Sequence, residues 1–255
     1  MEWNDAFIAG LFGGLAVKAL DIAHAELRRR FDKTEDASKF MDQQLDPVLK
    51  TADEVVGKIR ALAERDFRSL TPTAPRVGPG PLNENDLFGT LYLIACFWAR
   101  VELFRRRGLS IRVRSDSRGR MLQAFFRSLE ARKTRLVDRL TQRAIGECMI
   151  SQSEDNHIGY TEFVHRHETD PDFRRWFSPL MAILITSNDT KSRQRLLTLG
   201  VVMHAMIDAL DPTHQVTKDR PGFGNKLSRK SKSHLRFQVF GLHLAFVERV
   251  EKYLR

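Results

Sequence analysis

The sequence predicts an all-α protein, a multi-helix bundle with a long N-terminal helix, and three observations predict it. Apolar residues recur at helical spacing along most of the 255 residues. No stretch alternates apolar and polar residues for long enough to build a sheet. The breaks fall where helix-stopping residues gather, at Gly108, at Asp211-Pro212 and in the Pro/Gly-rich run 69–85.

The elements follow in order. Residues 3–30 read as one long helix, and a second runs over about 37–67, with Asp46-Pro47 as a fresh cap or a kink. Four prolines and two glycines then fill 69–85, a density at which no regular element survives, so this is a linker. Asn83 or Asn85 is expected to cap a third helix over 86–107, which Gly108 stops, with Arg105, Arg106 and Arg107 against its C-terminal dipole. Residues 87–99 are apolar nearly all round, which marks this helix as central to the core. The alternating stretch 110–117 reads as a loop. A basic helix over 118–149 breaks near Thr134. Shorter helices follow at 160–168 and 171–186, the latter disturbed by Pro179. Another covers 190–210, and 215–233 is a polar, basic loop. The last helix, 234–254, carries an amphipathic stripe of Leu235, Val239, Leu242, Phe246 and Val250. The expected organisation is an N-terminal helix over 1–33, a helical connector over 34–68, the linker 69–85 and a helical domain over 86–255.

The composition is that of a folded chain, 42% hydrophobic and 29% charged, which excludes wholesale disorder. Two distant cysteines, Cys96 and Cys148, make no disulfide framework and read as reduced thiols. The net charge of +10 is concentrated. Between Arg100 and Arg143 fourteen basic residues face four acidic ones, and between Lys218 and Arg236 seven face one. Such asymmetry points to an anionic partner. The expected contact residues are Arg105, Arg106, Arg107, Arg112, Arg114, Arg118 and Arg120. An anionic lipid surface is the favoured partner, at about 1 kcal/mol per basic residue. Nucleic acid is the alternative, although no aromatic residue lies between Phe104 and Phe125 to stack on bases.

The opening helix bears on the same choice. Its uncharged run, 6–17, spans about 18 Å at the helical rise, short of a hydrocarbon core of about 30 Å. Extension to Ala25 reaches that length but takes in Lys18, Asp21 and His24. Trp3 stands where an interfacial aromatic would, and Arg28, Arg29 and Arg30 follow as a positive-inside flank. Ala6, Gly10 and Gly14 share one face, a small-residue stripe suited to helix self-association. The expectation is a membrane-associated, oligomer-forming helix with the rest of the chain on the cytoplasmic side of the cell membrane. The competing reading is a helix buried in a bundle and a cytoplasmic protein.

Chemistry is sparse. No GxSxG, Walker A, HExxH or GxGxxG motif occurs, so a non-enzymatic protein without a cofactor is expected. The weak metal candidates are His204 and Asp208, four apart on one helical face, with Asp211 and His214 beyond them. His214 lies past a proline, which argues against convergence. A looser set comprises His157, His165, His167 and Glu168, whose side chains point in different directions. A helical enzyme with a His/Asp metal site is thus the second alternative.

The strings "LYLIACFWARVELFRRR" (91–107), "QRAIGECMI" (142–150), "GYTEFV" (159–164) and Trp176-Phe177 resemble a pattern in uncharacterised bacterial helical proteins with a predicted N-terminal membrane helix. The resemblance implies a membrane address and carries no activity, cofactor or catalytic residues that could be transferred. The functional expectation is a self-associating helical scaffold or effector at the inner membrane face.

Overall fold

In the computed structural model, residues 35–70, 82–108, 113–153 and 156–255 are described; the expected helix over 7–30, with Ala6, Gly10 and Gly14, lies outside them. The described residues form helices and turns, with one isolated antiparallel bridge between Ile150 and His157. The all-α class is therefore correct.

Helix α1 covers 35–64 and runs unbroken through Pro47. Its apolar face, with Met41, Leu45, Val48, Ala52, Val55 and Ile59 all buried, faces the same core as the rest of the protein. A stripe repeating every three to four residues needs a partner surface, and α1 finds it in the core it shares with the other described helices. Lys58 ties it to Asp86 at 2.6 Å.

Helix α2 (Leu82–Gly108) begins a turn earlier than expected, so Asn83 and Asn85 lie within its first turn. The capping preference of asparagine is worth about 1 kcal/mol, and continued helix outweighs it here. By length and composition 86–108 would suffice to cross a membrane, but 67% of its apolar window is buried within the protein. Helix α4 (Arg139–Cys148), α5 (Tyr160–Thr169) and α6 (Pro171–Ile185) all pack on α2. Gly146 allows the closest approach. A Cβ there would lie 2.8 Å from the Trp98 carbonyl oxygen, so α4 rests almost backbone to backbone on α2. Pro179 sits within α6 without ending it.

The predicted break near Thr134 is real: α3 (Ser117–Leu129) stops, a turn follows, and α4 starts on an Asp138 cap. Helix α7 (Thr190–Leu210) is the second central helix, buried without interruption from Leu196 to Ile207. Gly200 lets it meet α1, because a Cβ there would touch Ile59 at 3.1 Å.

The C-terminal amphipathic stripe is not realised. Helix α8 (Arg229–His234) passes into a π-helix, Leu235–His243, and a last short helix α9 covers Glu251–Leu254. With i→i+5 bonding, closed by Leu244 N–H on the Val239 carbonyl at 2.9 Å, a pattern laid out for 3.6 residues per turn drifts off its face. Leu235, Val239 and Phe240 are buried, whereas Leu242 is 74% exposed and Phe246 41%.

Candidate functional site

The seven arginines expected to form one anion-binding surface are divided by the fold. Arg105 is a structural clamp between helices. Its guanidinium bridges Glu102 and Glu130, each at 2.5 Å, and Glu130 also takes Arg139 at 3.2 Å. Arg118 is held by Asp42 at 2.7 Å and Asp116 at 3.1 Å, which tethers α3 to α1. Arg106 lies 3.9 Å from Glu147, and Arg107 is half-buried with contacts of its own. Arg114 is exposed and donates to Gln123 at 3.2 Å, Arg120 is exposed, and Arg112 lies outside the described residues. A cleft does gather Arg105, Arg106 and Arg114 with Arg127, Arg139 and Arg143, but Glu102, Glu130 and Glu147 line it too. Its charge is answered in part from within, because Glu102 and Glu130 hold Arg105 and Glu130 also holds Arg139.

A second cleft, of about 900 Å³, was not legible in the sequence. The turn after α3 contributes Arg132 and Lys133, α7 contributes Lys191 and Arg195, and α8 contributes Lys230. No carboxylate is among the described residues that line it. Phe237, on the π-helix, stands in the same cleft and is 64% exposed. Lys133 donates to Gln238 at 3.0 Å, and the Gln238 oxygen also lies 3.1 Å from His234 Nδ1. Burial lowers the His234 pKa, against the Gln238 hydrogen bond that raises it, and the Lys133 charge adds to the lowering. Burial, reinforced by Arg135, likewise lowers the Arg195 pKa. Two basic blocks about a hundred residues apart in sequence thus meet here, which no window of sequence could reveal.

The histidine candidates separate as well. His157 lies 3.5 Å from both the Tyr92 hydroxyl and Cys96 Sγ. Burial pushes the Cys96 thiol up to about 12, so it is no thiolate nucleophile at neutral pH. His165 and Glu168 are exposed, whereas His167 is buried against Phe88, Phe163 and Phe177. These four do not assemble. His204, Asp208 and His214 do come together, despite the intervening proline. Both imidazole Nε2 atoms face the same Asp208 oxygen, at 3.7 and 3.6 Å. Among the described residues no group of three or more His, Cys, Asp or Glu is arranged to hold a metal ion as it stands.

His167 has a consequence for stability. Burial lowers its pKa, with the Arg174 charge as the next cause, and its Nε2 has no partner. The unfolded chain therefore takes up a proton near the ordinary histidine value of about 6.5 while the folded chain does not. Stability is full above that value and falls as pH drops below it. Urea midpoints at pH 7.5 and 5.5 should show the fall, and His167→Phe should flatten part of it. An unchanged slope would mean that His167 does not contribute.

Comparison with known protein families, curated proteins and solved structures finds no match.

Proposed function

We propose that this chain is a non-enzymatic helical protein that docks on an anionic lipid surface at the inner face of the cell membrane. The observation that supports the reading is the second cleft: five cationic side chains, no carboxylate among its described lining, and an exposed phenylalanine. Basic residues around a bulky apolar side chain are what an interfacial surface requires, because the charges meet headgroups while the ring enters the acyl boundary. A phosphate-backbone partner would use the same charges but would want several stacking rings, and the described lining of this cleft offers one exposed ring, Phe237, beside the half-buried His234. The self-associating helix read from residues 7–30, with its face of Ala6, Gly10 and Gly14, belongs to the same proposal as the element that holds copies together at that surface.

Vesicle flotation tests it. Affinity for phosphatidylserine-containing vesicles should exceed that for phosphatidylcholine vesicles. At about 1 kcal/mol per basic residue, Lys133→Gln with Lys230→Gln should remove roughly 30-fold of the difference. If the double variant floats as the parent does, the cleft is not the docking surface. If the parent ignores anionic lipid but shifts duplex DNA with a steep salt dependence, the nucleic-acid reading replaces this one.

A further inference from the structure

Asp208 stands one helical turn beyond His204 near the C-terminal end of α7. One of its oxygens is engaged: Oδ2 accepts from Lys252 Nζ at 2.7 Å and from the Tyr253 hydroxyl at 2.8 Å. The other is not. Oδ1 is buried without a hydrogen-bond partner, and so is Nε2 of His204, a side chain in a residue 2% exposed. An ordinary histidine–aspartate pair would bring nitrogen and oxygen to about 2.7–3.2 Å. Here both rings hold back at 3.6–3.7 Å from one shared oxygen. Asp219 Oδ1 lies a further 3.6 Å from His214 Nε2, at the exposed rim.

The loop that carries His214 is built to present it. Asp211 accepts the N–H groups of Gln215, Val216 and Thr217 at 2.9–3.0 Å and the Thr217 hydroxyl at 2.8 Å. His214 itself takes φ 52°, a left-handed conformation that a non-glycine residue adopts at a cost. Its Nδ1 lies 3.2 Å from the Thr217 hydroxyl, which leaves Nε2 aimed into the cluster. A second-sphere hydrogen bond on one ring nitrogen is the usual device for orienting the other toward a metal.

From this geometry we propose that His204 Nε2, His214 Nε2 and Asp208 Oδ1, with the Asp219 carboxylate at the rim, bind one divalent transition-metal ion of the zinc class. Donors on a tetrahedral zinc at about 2.1 Å stand about 3.4 Å apart, and the two pairs that share Asp208 Oδ1 and the His214–Asp219 pair, at 3.6–3.7 Å, each lie within a few tenths of an ångström of that spacing. The two carboxylates offset the charge of Lys252, whose side chain is 44% exposed and free to swing outward. Asp211 is a positioning residue, since its oxygens serve the loop and not the ion. The site stands apart from the lipid-docking cleft, and neither proposal depends on the other.

Full-length protein stripped of metal and titrated with cobalt(II) provides the test. The expected result is one ion per chain with the intense visible bands of tetrahedral cobalt, displaced by zinc, together with a zinc-dependent rise in Tm. His214→Gln, on a surface loop, should abolish the bands, as should His204→Gln if it folds. Asp219→Asn should weaken binding about tenfold, and Lys252→Met should tighten it by relieving repulsion. A purely structural Asp208–Lys252 pair predicts instead that Lys252→Met lowers Tm and leaves cobalt uptake at nil. Absence of stoichiometric uptake, or uptake unchanged by His214→Gln, overturns the proposal.

Discussion

Phe97→Asp should unfold the protein. Phe97 is 1% exposed on α2 and sets its ring edge-on to Phe126 of α3, with centroids 6.5 Å apart. Removal of a buried phenylalanine alone costs about 3–5 kcal/mol. The aspartate then adds a carboxylate beside a cation that is already taken: Arg105, which lines the same small cavity, is held by Glu102 and Glu130. An unpaired buried polar group costs roughly 2–7 kcal/mol more. The sum matches or exceeds the whole stability of an ordinary domain, about 5–15 kcal/mol. Far-UV circular dichroism should show lost helix, and proteolysis should cut throughout the chain. Phe97→Leu, which keeps most of the volume, should leave a folded protein with a lower urea midpoint. A folded Phe97→Asp protein would mean that α2 is not the centre of the core.

Arg105→Ala should destabilise the fold without weakening vesicle binding, whereas Arg106→Ala should do little to stability. The two are neighbours in sequence and opposites in setting. Arg105 is 23% exposed at the side chain and bridges two carboxylates that are 9% and 13% exposed. Its loss leaves Glu130 with Arg139 at 3.2 Å and Glu102 with Arg143 at 3.8 Å, and removes two charged hydrogen bonds from partly buried acids, at a cost of about 1.5–3 kcal/mol. Arg106, 44% exposed and 3.9 Å from Glu147, is a surface pair worth about 0–1 kcal/mol. Glu102→Gln with Glu130→Gln in the Arg105→Ala background should recover part of the loss, because less under-compensated charge stays partly buried. If urea midpoints for the two arginine variants coincide, the clamp carries no stability. If Arg105→Ala instead lowers lipid affinity, the residue belongs to the binding surface after all.

That contrast marks the limit of sequence reading here. The run of three arginines at 105–107 is plain in the sequence, but whether each faces water or a carboxylate depends on Glu130 and Glu147, which arrive from other helices. Charge patterning counts residues along the chain, whereas electrostatic fields add over distances in space. The cleft of Arg132, Lys133, Lys191, Arg195 and Lys230 was invisible for the same reason: its members come from three separated segments. His204 and Asp208 were legible, because an i,i+4 spacing places two side chains on one helical face whatever surrounds them. His214 was misjudged. The chain past Pro212 turns back through the hydrogen bonds that Asp211 accepts, and a proline says only that the helix stops.

The sequence by itself determined the all-α class, the centrality of the helix over 86–107, the break near Thr134 and the ends of α6 and α7. These rest on local physics, namely 3.6-residue periodicity, caps and breakers, which act within a few residues. Tertiary structure alone decided the rest. It drew α1 into the core, wound 235–243 as a π-helix that turned Leu242 outward, neutralised Arg105 and Arg118, and set two histidines against one aspartate oxygen. Each of those outcomes depends on a partner distant in sequence, and packing and charge act through contact in space.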